Sequence, residues 1–96
     1  MYAVIFKAKT NKTDQAYTDT VNCMRKLAVN TYGCIEINSY TQDDVELTIS
    51  YWPSKDHIKK WKNNPEHQRA QKLGKSKWYK SYKVQVVKVI NQYNVR

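Results

Sequence analysis

Two segments at opposite ends of the chain, Tyr2 to Ala8 and Tyr82 to Ile90, consist of strand-forming residues and turn apolar side chains to both faces. A strand of this kind must be covered on both sides. A chain of 96 residues buries only a modest core. Its own helices can therefore roof one face of a sheet, and a partner sheet is expected to cover the other. These end strands predict one domain, residues 1–96, that forms a homodimer with sheets packed face to face. The tail from Gln92 to Arg96 is expected near the partner.

Between the end strands the pattern alternates in type. Thr13 or Asp14 can cap a helix whose Tyr17, Val21, Met24, Leu27 and Ala28 form one apolar stripe. Asn30 to Gly33 ends it, with Gly33 suited to a left-handed stop. Cys34 to Thr41 and Val45 to Trp52 alternate as strands around the turn Gln42-Asp43-Asp44, giving an antiparallel hairpin. On the second of these strands Val45, Leu47, Ile49 and Tyr51 share a face. Ser54 can cap a helix carrying Ile58 and Trp61, Asn63-Asn64 breaks it, and Pro65 opens another that is expected to stop at Gly74. The order β-α-β-β-α-(α)-β predicts an α+β, ferredoxin-like fold: a four-stranded antiparallel sheet with helices on one face.

The charge is concentrated. The formal net charge is +9, and Lys55 to Lys83 holds ten Lys or Arg against Asp56 and Glu66, a net of +8. Such a face attracts anions, whether nucleic acid, acidic lipid or a carboxylated ligand, although a solvated lysine-rich helix face has the same composition. No apolar run reaches the length of a membrane span, so no membrane contact is expected. MYAVIFKAKT lacks a basic lead and a cleavage site, so it reads as a strand and not an export signal, and a cytoplasmic chain is expected. Cys23 and Cys34 show no metal spacing and read as free buried thiols. There is no Gly-rich phosphate loop, no Ser/His/Asp grouping and no metal motif.

The stretch Tyr51 to Tyr82 holds all three tryptophans, both histidines and both prolines. On its second helix His67, Ala70, Gln71 and Gly74 fall on one stripe. Two polar side chains beside two small residues suit a pocket lining. His57 reads as a surface residue.

On Ser50-Tyr51-Trp52-Pro53-Ser54, Trp61, Glu66-His67, Ala70-Gln71, Gly74 and Trp78-Tyr79, together with the element order, the chain resembles the antibiotic biosynthesis monooxygenase family of dimeric α+β barrel proteins. The resemblance covers nearly the whole chain. It implies a dimer with a cavity in each subunit between helices and sheet. Members of that family include cofactor-free oxygenases acting on polycyclic phenols and quinol-like substrates, and haem-degrading enzymes. The haem-degrading branch uses an asparagine on the first strand, a tryptophan, and a histidine ten residues beyond it. Trp61 matches the tryptophan, but Gln71 stands at the histidine position and Ala3 to Lys9 has no asparagine, so haem degradation is not expected.

A cofactor-independent monooxygenase must hold an electron-rich substrate in a dry pocket and help remove its proton. His67 is the candidate for proton transfer and Gln71 for holding a carbonyl or oxyanion. Trp61 and Trp78 would form flat walls for a planar ligand, and Asn38, Tyr40 and Ser50 could line the cavity from the hairpin. No cofactor is expected. Two other readings stand beside this one. The first is a non-catalytic dimeric barrel that binds a small ligand. The second is a nucleic-acid binder, since the RNA-recognition motif shares the element order; however, Val45 to Ser50 lacks its Lys/Arg-Gly-aromatic pattern.

Overall fold

The structure, a computed structural model, describes residues 1–95. Its elements are β1 (Tyr2–Thr10), α1 (Gln15–Thr31), β2 (Glu36–Gln42), β3 (Val45–Trp52), α2 (Lys55–Lys62), α3 (Pro65–Leu73), a turn of π-helix (Gly74–Trp78) and β4 (Tyr79–Lys88). The strands lie in the order β2-β3-β1-β4, and every neighbouring pair is antiparallel. This is the expected ferredoxin-like α+β arrangement.

Local chemistry sets the boundaries. The Asp14 carboxylate caps α1 by accepting from the Tyr17 N–H at 2.9 Å, and Lys77 Nζ pairs with the same carboxylate at 2.9 Å. This exposed ion pair and the cap hold Asp14 below the usual carboxylate range, and they tie the start of α1 to the π-helical turn. Gly33 follows α1 at φ +77°, the left-handed conformation expected of it. A Cβ there would also lie 2.9 Å from the His57 ring. His57 is thereby half-buried rather than a surface residue, with Nδ1 2.7 Å from Ser54 Oγ. The β2–β3 loop has two residues, and Asp43 takes the positive φ of 55° that Asp tolerates well.

Two further expectations are corrected. As expected α3 ends at Leu73 with Gly74 as its C-cap, but the backbone of Gly74 remains helical and the chain runs on through the π-helical turn into a strand that begins at Tyr79, not Tyr82. The reason for glycine here is steric, because a Cβ at Gly74 would meet the Tyr79 ring at 2.7 Å. Cys23 is exposed on α1, and only Cys34 is buried; both thiols are free. Burial raises the pKa of the Cys34 thiol.

On β3 the expected alternation holds, with Val45, Leu47, Ile49 and Tyr51 on one face. Its buried positions are Glu46, Ser50 and Trp52, with Thr48 half-buried between them. Trp52 packs with Trp61 and Ala28 of the helix layer, so this set faces the helices. Val45, Leu47, Ile49 and Tyr51 line the opposite, open face, and remain half-buried. The open face carries a groove of about 580 Å³ between the sheet, including Ala3, Ile5, Ile49 and Tyr51, and the tail residues Asn91, Gln92 and Asn94. Arg96 of the expected tail contact lies outside the described residues.

Candidate functional site

The helix-facing side of the sheet separates into two aromatic groups with a polar row between them. At one end Trp52 is 1% exposed and donates its indole N–H to Ser50 Oγ at 2.9 Å. Trp61 stacks on Trp52 at 6.2 Å and on His67 at 4.4 Å, and Tyr32 tilts against it at 5.4 Å. Asn64 fixes this end. Its Oδ1 caps α3 by accepting from the His67 N–H at 3.0 Å, while its Nδ2 donates to Tyr32 Oη at 2.6 Å.

The stripe read on α3 is the inward one: His67, Ala70 and Gln71 are half-buried and Gly74 is buried, whereas Glu66, Gln68, Arg69, Lys72 and Leu73 are exposed. Burial lowers the pKa of His67, opposed by the nearby Trp61 and Lys62 carbonyls. Its Nδ1 is nevertheless buried without a hydrogen-bond partner. The ring is therefore neutral at neutral pH, and one nitrogen keeps its lone pair.

At the other end Phe6 lies 5.3 Å from Tyr79 and 5.5 Å from Tyr82, and Tyr17 lies 5.3 Å from Trp78 and 6.1 Å from Tyr79. Trp78 is buried; the other four rings are half-buried. Beneath them the Glu46 carboxylate, 5% exposed, accepts a hydrogen bond from the Tyr17 hydroxyl. Thr48 Oγ1 also donates to Glu46 at 3.4 Å, Ser39 Oγ lies 2.8 Å from Thr48 Oγ1, and Arg25 Nη2 donates to Ser39 Oγ at 3.0 Å. Because Arg25 can only donate and an ionised carboxylate can only accept, the two hydroxyls are oriented in one sense, from Arg25 to Glu46. Burial, reinforced by Glu46, raises the pKa of Tyr17 and Tyr79 above the ordinary tyrosine range, so both phenols stay protonated.

The helix layer is incomplete over β1 and β4. Val84 and Val86 pair with Phe6 and Val4 on the helix-facing side, yet they are 48% and 52% exposed. The close neighbours of α3 are α1, α2 and the π-helical turn rather than the sheet.

The residues singled out from sequence are thus divided. Trp61 stacks on His67 and reaches Ser50 through Trp52, while Gln71 is half-buried one turn further along α3. Trp78 belongs to the opposite aromatic group. Asn38 and Tyr40 pair with Ile49 and Leu47 on the open face and are exposed, away from Ser50. A groove of about 230 Å³ between α1 and α3 involves Asp19, Cys23 and Arg69, and neither groove is lined by the candidate residues. Among the described residues no three His, Cys, Asp or Glu side chains gather as a metal site. No helix among them is long and apolar enough to cross a membrane.

Sequence reasoning missed Tyr17, Arg25, Ser39, Glu46, Thr48 and Tyr79 as a group. The available signal was the alternate set Glu46, Thr48, Ser50, Trp52: a tryptophan closing an otherwise polar face marks that face as enclosed.

The fold and its interior define a small ferredoxin-like α+β domain with aromatic side chains and a polar row packed between helices and sheet. A family model described as antibiotic biosynthesis monooxygenase matches residues 1–73, and the chain belongs to that family. It is 40% identical over 92 residues to the uncharacterized protein YqjZ of Bacillus subtilis (strain 168), spanning 95% of this chain and 81% of that protein. Among solved structures it is similar to Rv0793 from Mycobacterium tuberculosis, with a TM-score of 0.82, 12% identity and coverage of 97% and 98% of the two chains. It is also similar to a variant of SnoaB, a cofactor-independent oxygenase from Streptomyces nogalater, with a TM-score of 0.80, 5% identity and coverage of 95% and 94%. At such identities these two likenesses establish the fold.

Proposed function

We propose that this chain is a cofactor-independent monooxygenase acting on a small planar phenol- or quinol-like molecule held between α3 and the β1–β4 floor. Membership of the family supports the reaction class. The observation that carries the reading is the inward stripe of α3, where the ring of His67 lies on Trp61 and Gln71 follows one turn later, in a domain whose helix-facing Val84 and Val86 are left half exposed. A flat apolar floor suits a planar ring. His67 takes the proton of the substrate hydroxyl, Gln71 holds the substrate oxygen, and the resulting anion reduces dioxygen. One oxygen atom enters the substrate and the other leaves as water, so the substrate itself supplies the electrons. The surrounding net charge favours the anion.

The test is oxygen uptake with a panel of phenols, naphthols and anthrones. The expected result is protein-dependent uptake, with a single ¹⁸O atom from labelled dioxygen in the product. Ligand binding with no uptake above the uncatalysed rate would leave the non-catalytic barrel instead.

The protein acts as a homodimer through its open face in the same proposal. Val45, Leu47, Ile49 and Tyr51 stand there half-covered, and the tail side chains Ile90, Tyr93 and Val95 are 93%, 81% and 85% exposed. Apolar surface on this scale in a short chain favours a partner. Sedimentation at micromolar concentration is expected to give twice the chain mass of 11.4 kDa; a monomer would remove the idea.

A further inference from the structure

A histidine that works as a base is usually oriented by a hydrogen bond to its second ring nitrogen. His67 lacks that support, since its Nδ1 is buried without a hydrogen-bond partner. Its orientation has to come from packing. Trp61 stacks on the His67 ring at 4.4 Å with 21° between the planes, and Tyr32 lies against Trp61 at 5.4 Å.

Asn64 joins all three residues. Its backbone N–H donates to the Trp61 carbonyl at 3.1 Å, its Oδ1 accepts the His67 N–H at 3.0 Å, and its Nδ2 donates to Tyr32 Oη at 2.6 Å. The backbone N–H of His67 can only donate, so the amide end facing it is the oxygen and the end facing Tyr32 is the donor. Trp61 is buried, and Tyr32, Asn64 and His67 are half-buried, which strengthens these bonds against competing water. Capping α3 needs only the Oδ1, and serine caps a helix as well as asparagine does. The bond from Nδ2 to Tyr32 therefore has a separate role. It ties Tyr32, the residue that closes α1, to the junction of α2 and α3, and it holds the Tyr32 ring against Trp61.

We propose that Asn64 and Tyr32 are positioning residues for His67: their hydrogen bond fixes Trp61, and Trp61 fixes the plane of the imidazole. Neither is assigned a contact with substrate, and their own bond is neither made nor broken in the reaction. The inference rests on the reading of His67 as the base, but the orientation of the ring is measurable without any substrate.

The experiment follows the carbon-bound ring protons of His67 by NMR. Stacking on an indole face shifts them upfield, and His67→Gln identifies them among the signals of the two histidines. Two variants break the Asn64–Tyr32 bond and spare the rest. Asn64→Ser keeps a capping oxygen and is too short to reach Tyr32. Tyr32→Phe keeps the ring against Trp61 and loses only the hydroxyl. Each is expected to lose at least half of the upfield shift. The double variant should lose no more than either single one, because all three remove the same bond. An intact shift in both single variants, or losses that add in the double variant, would overturn the assignment. With an identified phenolic substrate, each variant should lower kcat about tenfold and leave KM within about twofold, since a misplaced base slows proton transfer without weakening binding. A lower melting temperature with unchanged kcat would reduce the pair to a structural tie and also overturn it. Displacement of the ring in both variants, with no phenol turned over by wild type, would sink the oxygenase reading and leave the clamp on His67 standing.

Discussion

Replacing Trp52 with alanine is expected to lower the unfolding free energy by about 3–5 kcal/mol, the usual cost of emptying a large aromatic site. Trp52 is the largest fully buried side chain, and it joins the sheet to α2 through Trp61. Its removal also strands the buried Ser50 hydroxyl, whose partner is the Trp52 indole at 2.9 Å. A domain of this size has a stability of about 5–15 kcal/mol in all, so one substitution threatens the fold. Trp52→Phe separates the two contributions: it keeps most of the packing and loses the N–H, at a cost of about 1–3 kcal/mol for the unsatisfied group. Urea unfolding of the three proteins measures both. A loss below about 1 kcal/mol for alanine would mean that Trp52 does not organise this core.

The fold was legible because its signals are local and redundant. Asp14, Ser54 and Asn64 cap helices by their own side chains, Gly33 supplies the left-handed turn, and Asp43-Asp44 closes a two-residue hairpin. The side of the sheet each residue faces was less legible. Alternation on β3 separates Val45, Leu47, Ile49 and Tyr51 from Glu46, Thr48, Ser50 and Trp52, but periodicity alone does not say which set meets the helices. An apolar set is ordinarily assigned inward. Here the polar set is enclosed, because Arg25 and Tyr17 on α1 satisfy Ser39 and Glu46 across the interface. That pairing joins residues far apart in sequence, and no spacing rule reports it. Gly74 ends α3 as its local signal says, but its second constraint, the Tyr79 ring five residues later, was not legible for a related reason.

His67→Ala is expected to reduce turnover of an identified phenolic substrate by about a hundredfold or more, the scale of a lost general base. The loss should fall on kcat, since the proton moves after binding. Because the ring also stacks on Trp61, His67→Gln provides a variant of similar length whose thermal melt checks that the site survives. The pH dependence separates a base from a packing residue. Burial lowers the folded-state pKa of His67 from an ordinary 6.5, so the neutral form persists as pH falls past the usual histidine range. Activity should hold through that range and drop only as the ring is finally protonated. Stability follows the same linkage with a definite sign. Below about 6.5 the unfolded chain binds the proton first, so the folded state loses stability as pH falls from there towards the depressed value, and the loss levels off beneath it. For one proton the slope cannot exceed about 1.4 kcal/mol per pH unit. His67→Gln should flatten that window and leave the lower-pH contribution of Asp14, whose carboxyl is held below its ordinary 3.8 by Lys77, in place. Turnover that survives in both variants, with an unchanged pH profile, would move the proton acceptor away from His67.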